Sequence, residues 1–312
     1  MSGKIPIELR KARQTVHTYE RLKQCTRCGA YSVLWHDNCL SCGAERKFLS
    51  IGDIVSSVLR RNIQRDALIL AAIACAAFYL ARTFQEMALA AGAGVLLIAV
   101  YALLRRRYAE ALMNATLRKL LLGENRAIRK GILLDVDDAA SDMEDGDFKS
   151  AYEKLREIGT LITGSHIRNL KVYCLNRFIL RSDMELELGT LIPDEFEPGF
   201  IAYLYEAAKV NPGLVQRDTL DYVQKYRVQI GGMLEGRATL ALVAAAALRV
   251  KEYAFEYASL LYDFVDELPR ERFLRLCRLM KESPDRAPEL RQKVLETAAR
   301  KYGDDPEFEG FL

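Results

Sequence analysis

Residues 25–44 read CTRCGAYSVLWHDNCLSCGA, and the motif CxxCGA stands at both ends of this stretch. Ten residues separate the pair Cys25 and Cys28 from the pair Cys39 and Cys42. The glycine after each pair allows the backbone to turn sharply. Four soft thiolates on two tight turns suit tetrahedral coordination, and the spacing brings all four sulfurs to one point. The stretch therefore predicts one structural Zn²⁺ held by Cys25, Cys28, Cys39 and Cys42.

The double CxxC motif resembles that of the zinc-ribbon family over residues 22–48. The resemblance implies a small β-hairpin module built around a structural four-cysteine site. Zinc ribbons serve nucleic-acid binding, protein docking and the regulation of membrane proteins, so the resemblance does not select among these functions. Two disulfides or four unrelated thiols are the alternatives, and disulfides would need an oxidising compartment.

His36 lies in the loop between the two cysteine pairs. Because four thiolates already fill a tetrahedral site, we expect His36 to have a surface or packing role. No coordination position is left for water, which argues against a catalytic zinc.

The charge of the chain is unevenly distributed. At 312 residues the chain has room for about two domains, and its net charge is only +3. Residues 1–66, however, contain 12 Lys/Arg against 6 Asp/Glu, and the next forty residues are almost wholly apolar. The first twenty residues are polar, so we expect no signal peptide. The isolated cysteines Cys75, Cys174 and Cys277 are expected to be buried in a reduced protein.

Two apolar runs follow the basic segment. Residues 67–81 read ALILAAIACAAFYLA, and residues 87–104 contain no charge. A membrane-spanning helix needs about 20 apolar residues, so the second run qualifies outright and the first qualifies if Arg82 reaches the interface. Residues 67–104 therefore predict a transmembrane helical hairpin, with alanines and glycines at the helix contact. A buried hairpin inside a soluble helical domain is the alternative.

Flanking charges predict the orientation of this hairpin. Arg60, Arg61 and Arg65 precede it, and three arginines at 105–107 follow it. By the positive-inside rule both termini lie in the cytoplasm, so we expect a multi-pass protein of the cell membrane with two helices. Residues 105–130 contain eight Lys/Arg and two Glu, and predict a basic juxtamembrane helix. Topology anchoring accounts for its arginines, and attraction to anionic lipid is a further reading.

The remaining chain, residues 131–312, is dominated by apolar residues at helical spacing. The predicted fold class is therefore mainly α, with an N-terminal four-cysteine zinc ribbon, a two-helix hairpin and a C-terminal α-solenoid or irregular bundle. The predicted segments are a basic segment (1–21), the ribbon (22–48), a linker (49–66), the hairpin (67–104), the basic helix (105–130) and the helical domain (131–312). Helices are expected at 167–188, 194–210, 214–230, 234–250, 270–281 and 286–302.

One stretch of this domain resembles the second half of a tetratricopeptide repeat. It runs from Ala139 through Gly146-Asp147-Phe148 to Ala151, Leu155 and Ile158, and a looser echo begins at Lys251. Residues 135–147 hold seven acids and do not match the EF-hand spacing, so we expect an acidic, solvated helix start. The acidic tail at 304–312 is expected to pack its phenylalanines on the bundle, with a docking peptide as the alternative.

The sequence offers little for catalysis. It has three histidines and no nucleotide-binding or metalloprotease motif. Cys174 and His166 are about two helical turns, or roughly 12 Å, apart, which is too far for a dyad. Pairs of tyrosines such as Tyr222/Tyr226 suggest core packing or an aromatic groove. We therefore expect no enzyme, no cofactor-binding residues apart from the zinc ligands, and no small-molecule substrate.

Three functions remain open at this level. The first is a membrane-anchored adaptor whose residues 131–312 bind a protein partner, because stacked helices present long surfaces. The second is a membrane-tethered nucleic-acid-binding protein that uses the basic ribbon. Its positive surface would comprise Arg27, Arg46, Lys47 and a helix-like basic set of Arg10, Lys11, Arg13, Arg21 and Lys23. Only Tyr31 and Trp35 are available there to stack on bases, which ranks this function below the first. The third is an accessory subunit of a membrane enzyme or transporter, although the hairpin holds no intramembrane acid or base to carry a substrate.

Overall fold

The computed structural model of this chain describes residues 3–11, 14–308 and 310–311. It is mainly helical, with a small sheet near the N-terminus, as the sequence predicts. The chain divides into two compact units. Arg13–Ala140 form the first, which we call the ribbon unit, and Met1–Ala12 together with Ser141–Leu312 form the second, the helical unit.

The ribbon unit begins with a three-stranded antiparallel sheet in the order β2–β1–β3. Its strands are β1 (Lys23–Cys25), β2 (Tyr31–Ser32) and β3 (Phe48–Ser50). Gln24 lies opposite Tyr31 in β2 and opposite Leu49 in β3, so β1 is the central strand. The helix-like basic face expected before the ribbon is absent from the described part of this segment. Residues 6–11 are not helical, Thr18–Arg21 form one 3₁₀ turn, and Arg13 lies outside the described residues.

Helix α1 (Ile51–Leu80) begins directly after β3. Ser50 caps it by accepting a hydrogen bond from the Asp53 amide at 3.1 Å, which satisfies one of the unpaired amides of the first turn. Of the predicted linker at 49–66, residues 51–66 are therefore part of one 30-residue helix, and residues 49 and 50 belong to β3. Sequence reasoning missed this because the apolar run begins only at Ala67, while the capping signal lies well before it.

Helix α2 (Phe84–Arg107) returns antiparallel to α1 after a short turn. Thr83 and Glu86 form a capping box, in which the side chain of each residue accepts a hydrogen bond from the backbone amide of the other. A Cβ atom added at Gly94 would lie 3.1 Å from the Ala74 Cβ, so a small residue is needed where the helices approach. Both helices are long and apolar enough to cross a membrane.

The surface of this hairpin is exposed. None of the most apolar window of α1 is buried, and only 6% of the corresponding window of α2 is. The alternative of a hairpin buried inside a soluble domain is therefore wrong. Cys75, which we expected to be buried, is exposed on α1 for the same reason.

Two further helices complete the ribbon unit, α3 (Ala109–Gly123) and the greater part of α4 (Asn125–Glu144). The predicted basic helix at 105–130 is thus divided among the end of α2, all of α3 and the start of α4, with breaks at Tyr108 and Glu124. Helix α3 packs on the first turns of α1, where Ile51, Val55 and Leu117 are buried. These contacts hold the N-terminal half of α1 in a small apolar core.

The helical unit contains a series of short helices. They are α5 (Phe148–Ile158), α6 (Ser165–Leu175), α7 (Pro198–Val210), α8 (Arg217–Lys225), α9 (Arg227–Gly231), α10 (Gly236–Ala247), α11 (Lys251–Glu256), α12 (Ala258–Phe264), α13 (Arg270–Glu282) and α14 (Pro288–Tyr302). Most predicted helices are present with shifted ends. The helix expected at 167–188 stops at Leu175, and the one expected at 214–230 is interrupted at Tyr226.

Helices of this unit stack on near neighbours in the order α5, α6, α7, α10, α12 and α14. Ion pairs join side chains that lie 30 to 39 residues apart, such as Arg217 with Glu256 and Arg286 with Glu252. Tyr203, Tyr222 and Tyr257 are buried in this stack, so they are core residues and do not line an aromatic groove.

The acidic stretch at 135–147 differs from the prediction. Most of it forms the C-terminal half of α4 rather than a helix start, and Asp135 is buried. Only its last residue, Asp147, begins a helix, by accepting a hydrogen bond from the Ser150 amide. Gly146 precedes it with a φ of +84°, a conformation that favours glycine.

The acidic tail packs on the last helices, as expected. Phe308 is fully buried and stacks on Tyr302 with ring centroids 4.5 Å apart. Asp305 accepts hydrogen bonds from Arg270, which fixes the turn before Phe308. Glu309 and Leu312, which belong to the same predicted segment, lie outside the described residues.

Candidate metal centre

The two CxxCGA motifs fold into matching turns. In each turn the first cysteine accepts a hydrogen bond from the glycine amide, Gly29 to Cys25 and Gly43 to Cys39, both at 2.8 Å. The amide of that cysteine donates in return to the carbonyl of the alanine that follows the glycine. Gly29 and Gly43 have φ values of +75° and +68°, which explains why the motif contains glycine at this position.

The sulfur atoms converge as the spacing predicts. The four ligand atoms lie within 4.8 Å of one another, and the described residues contain no other such group of three or more His, Cys, Asp or Glu side chains. Cys25 Sγ is 3.8 Å from Cys42 Sγ, and Cys28 Sγ is 3.6 Å from Cys39 Sγ. A tetrahedral Zn²⁺ with Zn–S bonds of about 2.3 Å places its sulfurs about 3.8 Å apart. The cluster therefore has the size of a four-thiolate metal site.

These distances exclude a disulfide between Cys25 and Cys42 and one between Cys28 and Cys39. A disulfide requires sulfurs about 2.05 Å apart, well below both measured separations. All seven cysteines of the chain are free thiols. The two-disulfide alternative is therefore wrong for this structure.

The thiols influence one another electrostatically. Burial opposes ionisation of Cys25, but amide hydrogen bonds from Cys28 and Arg27 and contacts with neighbouring thiols lower its pKa to about 7. For Cys42 the Ala44 amide lowers the pKa, but burial and the three other thiols outweigh it and raise the pKa to about 11. Four thiols this close cannot all ionise without a compensating cation. A divalent metal supplies that charge and makes all four thiolates available as ligands.

His36 is outside the cluster, in agreement with the role expected for it. Its Nε2 lies 4.0 Å from Asp138 Oδ2, and its ring rests against Trp35 at a centroid distance of 5.2 Å. Its backbone carbonyl accepts a hydrogen bond from the Lys23 ammonium group. His36 thus links the loop between the cysteine pairs to neighbouring parts of the ribbon unit.

Helix α4 supports the metal centre through a residue that sequence reasoning assigned to solvent. Asp135 is 1% exposed. One of its oxygens accepts from Ser32 Oγ at 2.9 Å, and the other accepts from the Val33 amide at 2.8 Å. Burial raises the pKa of Asp135 to about 6, although these two hydrogen bonds favour the ionised form. The carboxylate fixes the chain directly after β2, inside the loop that joins the cysteine pairs.

One turn earlier on α4, Gly131 contacts the same strand. A Cβ atom at this position would lie 2.1 Å from the Tyr31 carbonyl oxygen and 2.7 Å from the carbonyl carbon. Only glycine allows the helix this close to the backbone of β2. A buried stripe of α4 contains Gly131, Ile132, Asp135 and Val136. The one signal in the sequence for this contact was therefore an acid and a glycine within an apolar helix face.

Comparison with protein-family models, curated proteins and solved structures finds no match to this chain. The assignment of the metal centre therefore depends on the geometry of the four cysteines and on the contacts that hold them.

Two further thiols lie in the helical unit. Cys174 and Cys277 are buried, and burial raises the pKa of each to about 12, which leaves them protonated at neutral pH. His166 lies on the exposed side of α6 and Cys174 on the buried side. The structure therefore does not bring His166 and Cys174 together as a dyad.

Proposed function

We propose that this protein is a membrane-anchored adaptor. Its ribbon carries one structural Zn²⁺, residues 67–104 span the cell membrane, and the helical domain binds a protein partner in the cytoplasm. The observation that carries the proposal is the exposed apolar surface of α1 and α2, where Leu68 is 72% and Leu89 is 75% exposed. So large a contiguous apolar surface is rare on soluble proteins and marks a membrane or protein contact. Its length favours the membrane.

The charged groups at the base of the hairpin support the proposed orientation. Asp66 on α1 accepts a hydrogen bond from Tyr101 on α2 at 3.0 Å, and its carboxylate lies 3.5 Å from Arg105. Arginines at 60, 61, 106 and 107 lie on the same two helices within six residues of Asp66 or Arg105, while the opposite end of the hairpin carries only Arg82 and Glu86. The positive-inside rule then assigns the base, and with it both termini, to the cytoplasm.

The helical unit supports the adaptor role. Helices that each contact near neighbours build an extended surface, as in solenoid proteins. The Gly146-Asp147-Phe148 turn has the capped geometry of a helix-pair connection, and we include a tetratricopeptide-like organisation in the proposal. Val228 and Leu234 are exposed aliphatic residues on this unit, which suits contact with another protein rather than catalysis.

The nucleic-acid alternative has less support. Tyr31, one of the two aromatic residues expected to stack on bases, is 2% exposed because it lies against α4. Trp35 is half-buried beside His36. Base stacking needs open aromatic faces, so the ribbon is better suited to a structural or protein-binding role.

Membrane topology is tested by cysteine labelling with an impermeant maleimide. In cells expressing the full chain, Gln85→Cys should react from outside, because residue 85 lies in the first turn of α2, at the end of the hairpin far from both termini. Gly310→Cys should react only after lysis. Labelling of Gly310→Cys in intact cells, or extraction of the protein by alkaline carbonate, contradicts the anchor proposal.

Partner binding is tested by photo-crosslinking in the same membranes. A photoreactive amino acid replaces Val228 or Leu234 in the helical unit, with Leu89 on the hairpin as the matched control. The first two positions should yield the same defined protein adduct, and the third should yield lipid adducts. Protein adducts that appear only at the hairpin position would instead support an accessory subunit embedded in a membrane complex.

A further inference from the structure

The N-terminal segment lies on the helical unit as an extended strap. Ile5 forms a parallel β-bridge with Phe178. The Ile5 amide donates to the Arg177 carbonyl at 2.8 Å, and the Ile5 carbonyl accepts from the Ile179 amide at 3.0 Å. Lys4 adds an ion pair with Glu206 at 3.3 Å. Both backbone groups of Ile5 are therefore bound by the chain segment that follows α6.

Helix α5 binds the other end of the strap through charged side chains. Glu153 accepts a hydrogen bond from the Arg10 amide at 2.8 Å, and Arg156 donates to the Arg10 carbonyl at 2.5 Å. Glu153 and Arg156 are each only 7% exposed. With the strap in place, both charged groups are satisfied by its main chain, as buried charged groups must be.

The contacts show what this surface recognises. Apart from the Lys4 ion pair, these contacts are made to the main chain of the strap, while Ile5 is 43% exposed and Arg10 is also exposed. Between these two residues, Ile7 and Leu9 alternate with the exposed residues Pro6 and Glu8 and are half-buried. Main-chain hydrogen bonds combined with pockets for alternate side chains are the features of extended-peptide recognition.

We propose that the polar face of α5 and residues 176–179 form a peptide groove for a partner protein. The ligand is an extended segment with apolar residues at alternate positions, and residues 4–11 occupy the groove in cis. This inference deepens the proposed function, on which it rests, by naming a surface and a class of partner segment. A partner segment of this pattern enters by replacing the strap, because the same four main-chain hydrogen bonds serve either chain.

The tethered strap sets the affinity that a partner must reach. The chain between the strap and the groove passes through the ribbon unit, and a tethered ligand reaches at most the millimolar effective concentration of a short linker. A free peptide with a micromolar intrinsic Kd would therefore be weakened by up to about 1,000-fold in the wild-type protein. Loosening the strap without changing the groove should restore most of that affinity.

The test uses the full chain in detergent micelles and a fluorescein-labelled synthetic peptide of residues 3–11, GKIPIELRK. The double variant I7D/L9D weakens the strap and leaves the groove intact, and Glu8→Gln, at an exposed strap position, is the matched control. Fluorescence anisotropy should show at least 100-fold tighter peptide binding to the double variant than to the wild type or to Glu8→Gln.

Specificity is checked in the strap-weakened background. Adding Glu153→Ala removes the acceptor for the peptide amide and should lower peptide affinity at least tenfold, with helicity unchanged by circular dichroism. Ile5→Pro, which lacks the bridge amide, opens the groove independently if the double variant misfolds. Equal peptide binding by the wild type and the strap variants, or no effect of Glu153→Ala, overturns the groove. The anchor and the crosslinks at Val228 would then still stand, so the two proposals fail separately.

Discussion

Replacing Gly131 by alanine should detach α4 from the ribbon. The new Cβ atom would lie 2.1 Å from the Tyr31 carbonyl oxygen, and the nearest atoms are all backbone. A carbon and an oxygen rest at about 3.3 Å, so the helix and the strand must separate by about 1.2 Å. Neither side can yield by a rotamer change alone, because both contacts belong to regular secondary structure.

The separation also breaks the hydrogen bonds one turn along the helix. The Asp135 contacts to Ser32 and Val33, now 2.9 and 2.8 Å, would open to about 4 Å and cease to be hydrogen bonds. Each hydrogen bond to a charged group contributes about 1.5–3 kcal/mol. Alanine regains about 1 kcal/mol of helix propensity. The expected net loss is therefore about 2–5 kcal/mol of the free energy that holds α4 on the ribbon.

The assay uses Trp35, which is the only tryptophan in the chain and lies in the ribbon. In detergent micelles, urea should shift its emission at a lower concentration in Gly131→Ala than in the wild type. Zinc release to a chromogenic chelator should accelerate as well. Gly123→Ala is the matched control, because a Cβ atom there meets nothing within 4 Å. Wild-type behaviour of Gly131→Ala in both measurements would refute the close contact between α4 and β2.

Three further outcomes are expected. Because the folded-state pKa of Asp135, about 6, exceeds its usual value of 3.8, the wild type binds a proton on folding between these pH values. Its stability relative to Asp135→Asn should therefore fall by about 1 kcal/mol as the pH rises from 5 to 7, and parallel urea midpoints at both pH values would contradict this. Cys39→Ser should reduce bound zinc from one ion per chain to none by elemental analysis and unfold the ribbon, while the helical unit keeps its circular dichroism; retained zinc would exclude the four-cysteine site. Tyr257→Phe removes the hydroxyl that donates to Asp221 at 2.7 Å, and should lower the free energy of unfolding in urea by about 1–2 kcal/mol. Tyr262→Phe, at a more exposed position, should leave it almost unchanged, and equal losses in the two variants would show that the hydrogen bond is not stabilising.

The features that could be predicted from the sequence are local ones. The cysteine turns depend on six consecutive residues, and the hairpin depends on two unbroken apolar runs. Both are specified by neighbours in sequence, so periodicity and spacing were sufficient. The start of α1 at Ile51 was missed because its first half is polar and packs on α3, and that contact involves residues more than fifty positions away.

The supporting contacts of the metal centre could not be predicted in this way. Asp135 is separated from its partners Ser32 and Val33 by 103 and 102 residues. In the sequence, Asp135 is one of seven acids in thirteen residues, and composition alone favours solvent for all of them. Its position in the apolar stripe of α4 distinguished it, because a carboxyl group on a buried face needs donors from another element.

Two separate sets of contacts stabilise the ribbon. The metal would join the two cysteine turns, because the four sulfurs share one coordination site. Asp135 and Gly131 instead fix the strand and loop between those turns to α4, and neither residue is a metal ligand. Loss of a cysteine should therefore abolish zinc binding, whereas Gly131→Ala should leave the stoichiometry at one ion and raise only the release rate. A ribbon that lost its zinc entirely in Gly131→Ala would show that helix docking is required to form the site, and not only to position it.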